Sequence, residues 1–133
     1  MTTSLASLPK GYEFPPATFS LTREWVAEYV TAVGDEAIGA LSDGFVPPMA
    51  LATQSIRALI EASPLPDGAL HAGQELSFKR AVRIGEALTA NARIASRGER
   101  AGWVLMSVDF DVRAGGDSVM TGRGTITFPV DAS

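Results

Sequence analysis

Between Trp103 and Val112, apolar Val104, Met106, Val108, Phe110 and Val112 alternate with Leu105, Ser107, Asp109 and Asp111. That period of two is the mark of a strand buried on one face. The same alternation predicts a strand over Ala87 to Ser96, with Leu88, Ala90, Ala92 and Ile94 on one face and Thr89, Asn91 and Arg93 on the other. A further strand is predicted from Val119 to Phe128, whose inward set is Met120, Gly122, Gly124, Ile126 and Phe128. Gly115-Gly116, within the turn from Ala114 to Asp117, can take positive φ and reverse the chain. Leu70 to Val82 is predicted as the first strand of the series. Two inward glycines weaken a strand unless another backbone must come close, and a central helix lying against it would supply that reason.

The first half of the chain has a different period. Val26, Tyr29, Val30 and Val33 fall on one face of a helix that Thr22 can cap, with Glu24 in its first turn and Gly34 at its end. Asp35 to Asp43 is an irregular loop. Pro47-Pro48 opens a second helix, whose stripe of Ala52, Ile56, Leu59 and Ile60 is widened by Ala50, Leu51 and Ala58. A helix apolar over so much of its circumference is buried on several sides. Ser63 to Gly68 ends it and turns the chain. Gly11 to Phe19 contains Pro15-Pro16 and is at most an edge strand or an extended lead-in.

These elements predict one α+β domain over residues 11–133, preceded by a small, polar and flexible stretch over residues 1–10. A four-stranded antiparallel meander curls around the second helix. The helix flank and the outer strand edge left uncovered predict a dimer.

Composition narrows the chemistry. The 133 residues suffice for one domain, and 46% hydrophobic with 20% charged residues is globular. Cysteine is absent, which removes disulfides, zinc–thiolate sites and a thiol nucleophile. A single histidine, His71, argues against a histidine metal site. A net charge of −4 argues against a nucleic-acid groove. No apolar run reaches membrane-spanning length, and the start Met-Thr-Thr-Ser-Leu-Ala lacks a signal core, so a cytoplasmic protein is expected.

Four blocks carry a resemblance to a known family. They are Tyr29-Val-Thr-Ala-Val-Gly-Asp35, Val46-Pro-Pro-Met-Ala-Leu-Ala52, His71-Ala-Gly-Gln-Glu-Leu-Ser-Phe-Lys-Arg80 and Arg83-Ile-Gly-Glu-Ala-Leu-Thr89. In this order and spacing they resemble the hotdog fold of the MaoC-like hydratases and dehydratases, over roughly residues 12–129. The likeness is to the half-domains that begin double-hotdog dehydratases and to the small subunits of heteromeric ones. It implies binding of an acyl-CoA or acyl-carrier thioester, no cofactor, and a homodimer or a heterodimer with another hotdog subunit. Active members add water reversibly to a trans-2-enoyl thioester with an Asp-x-Asn-Pro-x-His loop, one group accepting a proton while another donates. Here Gly34-Asp35 is kept, but Ala37, Ile38 and Ala40 stand where the Asn, Pro and His would be. The resemblance therefore implies a degenerate catalytic motif, with a partner subunit supplying the chemistry.

The candidate residues follow. Asp35 is either a surviving catalytic acid/base or a turn residue that ends a helix. His71 is a second catalytic candidate or a hydrogen-bonding group at a strand end. Pro48, Met49 and Ala50 place the start of the central helix against a thioester carbonyl, with the N–H groups of Met49 and Ala50 as donors. Tyr29 could line an acyl tunnel or, with Trp25 and Trp103, simply pack. Lys79, Arg80 and Arg83 form a cluster suited to the phosphates of coenzyme A or an acidic carrier surface, or a solvated strand end. Asp109 and Asp111 read best as an outward polar face. A stand-alone hydratase, dehydratase or thioesterase using Asp35, and a non-enzymatic acyl-ligand binder, remain open beside the subunit reading.

Overall fold

A computed structural model of the chain describes residues 4–33 and 44–132. Strand β1 (Ala17–Phe19) is followed by helix α1 (Arg23–Val33) and helix α2 (Pro48–Ala62). Strands β2 (Leu70–Phe78), β3 (Leu88–Arg100), β4 (Trp103–Ala114) and β5 (Asp117–Pro129) complete the chain. The strands form one antiparallel sheet in the order β1-β3-β4-β5-β2. The α+β architecture, an antiparallel sheet around a central helix, is the one expected.

The predicted meander is correct only for β3, β4 and β5. β2 does not pair with β3; it crosses the sheet to pair with β5. The link over residues 79–87 is no hairpin. It passes under the start of α2, where Val82 is buried and its carbonyl accepts the Val46 N–H at 2.7 Å. β2 also ends at Phe78 rather than Val82 for this reason. β3 runs on to Arg100, past the predicted end at Ser96, and turns through Ala101 (φ 53) and Gly102 (φ 84). Both positive φ values fit a two-residue hairpin turn of the primed kind. The predicted Gly115-Gly116 turn is present, at φ 59 and 91.

Thr22 caps α1 through its Oγ1, which accepts the Trp25 N–H at 3.1 Å. Val26 and Val30 are buried, but Val33 is 54% exposed, because the helix leaves the core at its last turn. Gly34, read as its cap, lies outside the described residues. α2 buries Ala50, Leu51, Ala52, Ser55 and Leu59. The Ser55 hydroxyl is made tolerable there by donating to the Leu51 carbonyl at 2.7 Å. The strand nearest the α2 backbone is β3, whose inward residues include the small, buried Ala90 and Ala92.

Residues 4–10 differ from the flexible lead that polarity suggests. Leu5 and Leu8 are buried, the Leu5 N–H bonds the Pro64 carbonyl at 2.9 Å, and Ser4 caps a 3-10 turn over Leu5–Ser7. From Gly11 to Phe14 the chain bonds the edge of β3, with the Gly11 N–H on the Ile94 carbonyl and the Phe14 N–H on that of Ala92.

Of the two inward glycines of β5, Gly122 has a reason other than the helix. A Cβ at Gly122 would overlap the Phe110 ring on the neighbouring strand and lie 2.8 Å from the Glu75 carbonyl oxygen. At Gly124 the nearest group to such a Cβ is His71 Nε2, at 4.0 Å.

On the outer face, opposite charges alternate across the sheet. Glu13 is bridged to Arg93, Arg93 stands opposite Asp109, Asp109 opposite Arg123, and Arg123 opposite Glu75. Arg123 grips Asp109 with two bonds, at 2.6 and 3.0 Å. This hydrogen bond holds the Asp109 carboxyl below its ordinary value. Asp111 accepts from Arg113 and Ser118, both at 2.6 Å. The two aspartates form an outward polar face, as read.

Gly122→Ala should destabilise the fold by about 1–3 kcal/mol through overpacking, whereas Gly124→Ala should leave it nearly unchanged. Paired thermal melts check this; equal melting temperatures would show that Phe110 gives way. A depressed carboxyl contributes stability above its unfolded pKa, and that stability is lost as pH falls through the folded value. The melting temperature of the wild type should therefore drop between about pH 5 and 3 more steeply than that of Asp109→Asn. Parallel slopes would remove the Asp109–Arg123 pair from the acid response.

Candidate functional site

The two ends of α2 open onto two hollows. At its start, Pro47 holds φ −58 and no side chain caps the helix. Proline at the first helical position gives up an N–H that has no intrahelical partner in any case. The Ala50 N–H is already taken by the Pro47 carbonyl at 3.0 Å, so of the two expected donors only the Met49 N–H has no backbone partner among the described residues. The Met49 side chain is exposed, and Ala50 is fully buried. A hollow of about 300 Å³ here is lined by Pro48 and Leu51 of the helix, by Phe78 at the end of β2 and by Lys79 and Arg80 after it. The chain crossing under the helix start thus brings the helix terminus and two of the three candidate cations together.

The cations differ in their freedom. The Arg80 guanidinium meets both oxygens of Glu86, each at 3.3 Å. Glu86 Oε2 also accepts the Arg83 N–H at 2.7 Å, and this backbone bond, aided by Arg80, holds the Glu86 carboxyl below its ordinary value. The Arg83 guanidinium lies over the Phe45 ring, 4.9 Å from its centre. Among the described residues only Arg80 of the three has an ion pair, and Lys79 has neither an ion pair nor a ring contact. Tyr29 lines neither hollow; its ring stacks on that of Trp25 at 5.7 Å. Trp103 is exposed rather than packed.

The far end of α2 faces a cavity of about 200 Å³ between helix and sheet. Ile56, Leu59 and Ile60 form its helical wall, Val108, Phe110 and Ile126 its sheet wall, and Leu5 and Phe14 close it from the N-terminal segment. Its polar lining is Ser63, His71 and Gln74. His71 therefore sits on a cavity, but at the end of α2 opposite the Met49 N–H. Asp35, with Ala37, Ile38 and Ala40, lies outside the described residues. Gln74 was not among the residues singled out from the sequence, nor were Leu5 and Phe14. Among the described residues no cluster of His, Asp and Glu could hold a metal ion, and no helix is long and apolar enough to cross a membrane.

Solved structures share this arrangement. An (R)-hydratase from A. caviae involved in PHA biosynthesis superposes with a TM-score of 0.75 at 23% identity, over 92% of this chain and 98% of the other. A MaoC-like dehydratase from Rhodospirillum rubrum gives 0.71 at 17% identity, covering 95% and 96%. A C-terminally truncated HadBC complex, a 3R-hydroxyacyl-ACP dehydratase from Mycobacterium tuberculosis, gives 0.74 at 19%, covering 93% and 100%.

The chain has the hotdog fold.

No family model matches the sequence, and no curated protein matches it. In hotdog terms, α2 is the central helix and β2 an exposed sheet edge. Along β2 every residue but Leu76 is exposed, and β5 is its one partner strand. Fold alone does not assign a reaction.

Proposed function

We propose that this chain is a MaoC-like hotdog subunit of the cytoplasm that binds an acyl thioester. In this reading it works beside a catalytic hotdog partner in an enoyl-thioester hydratase or 3-hydroxyacyl dehydratase. The observation that carries the reading is the pair of hollows on α2. One is lined by Pro48 and Leu51 of the helix start, which flank the unpartnered Met49 N–H in sequence, and by Lys79, an arrangement that suits a polarised carbonyl and a phosphate. The other offers an apolar cavity for a chain. The alanines at 37 and 40 support a subunit role, since neither can hold a water or move a proton. The exposed β2 edge supports assembly with a second hotdog domain, identical or different. One of the similar structures, HadBC, is itself a dehydratase complex.

The phosphate contact falls on Lys79, because Arg80 is held by Glu86. Lys79→Ala should weaken binding of coenzyme A several-fold by calorimetry, and the loss should shrink as salt is raised. An unchanged affinity would move the phosphates elsewhere.

The function is tested with the purified chain, crotonyl-CoA and a longer enoyl-CoA, together with its mass in solution. The reading expects ligand-dependent thermal stabilisation without hydration. Efficient turnover by the chain alone would overturn the subunit role and point to Asp35 acting with another group. No stabilisation by any acyl-CoA would overturn thioester binding.

A further inference from the structure

We propose that His71 and Gln74 form a polar seat in the apolar cavity, which hydrogen-bonds an oxygen carried on the distal part of an acyl chain. This rests on the acyl-thioester reading above and adds a substrate class to it: thioesters oxygenated far from the thioester end.

Residues three apart on a regular strand face opposite sides. In β2 the register shifts between His71 and Gly73, so that His71 stands opposite Ile126 and Gln74 opposite Gly124. The bulged residue, Ala72, thereby turns both polar side chains onto the concave face, where both line the cavity. Bulges re-aim side chains in this way, and they cluster beside functional sites. A second observation agrees with the first. Gly124 lies below His71 with no side chain, and even a Cβ there would stay 4.0 Å from Nε2. Room is thus left in front of the imidazole.

Neither side chain has a hydrogen-bond partner among the described residues. Between them they offer an imidazole with one donor and one acceptor, and an amide with two donors and an acceptor. A saturated chain filling the cavity would displace water from the cavity-facing side of both and give nothing back there. A hydroxyl or keto oxygen would replace that water. The seat is not the place of the thioester carbonyl. The cavity's helical wall begins at Ile56, six residues beyond Ala50, and runs to Ser63, about 9–20 Å along the axis. The cavity is somewhat larger than one that holds benzene, and so takes a segment of about six to eight carbons.

The test compares three coenzyme A esters on the full-length chain by calorimetry: dodecanoyl, 12-hydroxydodecanoyl and 3-hydroxydodecanoyl. The 12-hydroxy ester should bind about five- to tenfold tighter than the other two. His71→Leu and Gln74→Leu, both at exposed positions, should each bring that ratio towards one. Gln74→Met serves if a leucine variant fails to fold, with melting curves as the check. Equal affinities for all three esters in the wild type would overturn the proposal and leave thioester binding intact. So would a preference for the 3-hydroxy ester, or a 12-hydroxy preference that survives both substitutions. Binding of none of the three would overturn the underlying reading as well.

Discussion

α2 carries apolar residues round more than half of its circumference, while a single sheet covers only the side it faces. The rest of the molecule is arranged around this mismatch. Where the sheet does reach, the approach is close. Ala50, Ala52 and Ser55 lie on the buried part of the helix, and Ala90 and Ala92 face in from the nearest strand. Where the sheet does not reach, Leu5 and Phe14 fold in from the N-terminal segment, and the space they fail to fill is the cavity. Ile60, Leu65 and Leu70 remain exposed around it. An unfilled apolar space costs packing energy, so its presence beside an open strand edge fits a protein that keeps room for something else.

The outer face answers a different problem. A sheet with one wet face needs side chains that hold register without inviting other sheets to stack. The alternating row Glu13, Arg93, Asp109, Arg123 and Glu75 does both. A slip of one residue would put these opposite charges out of register, break the Asp109–Arg123 ion pair where it falls between β4 and β5, and turn the apolar set outward.

The helices and strands with regular periodicity were legible in the sequence, because burial on one face writes itself into the spacing. β4 and the body of β5 show this best. The pairing of β2 with β5 was not legible, since alternation says which face is buried and nothing about which strand lies alongside. The reach of β3 to Arg100 was hidden because Ser96 to Arg100 carries no apolar side chain to mark an inward face, and only Arg97 within it is half-buried. Among site residues, the helix start and its neighbouring cations were legible from Pro47-Pro48 and Lys79-Arg80. Gln74 was not, because its facing depends on a bulge, and no side-chain pattern announces one. The Ala72-Gly73 pair, small and unsuited to a regular strand, was the available hint. The sequence also offered the wrong reason for Gly122, whose partner is a ring on the adjacent strand rather than the helix.

The N-terminal segment is held from far away. Arg97 donates to the Ala6 carbonyl at 2.8 Å, across 91 positions of sequence, and to the Leu8 carbonyl at 3.1 Å. Its guanidinium also faces the Phe128 ring, 5.8 Å from its centre. A chain emerging from the ribosome therefore makes Leu5 early and its anchor late. Until β3 and β5 have been synthesised, the segment that closes the cavity lacks the Arg97 clamp and keeps only its bond to Pro64, and long-range contacts of this kind form slowly. The cavity is completed last, so a nascent chain stalled before Arg97 would carry the sequence of both helices and still lack that space.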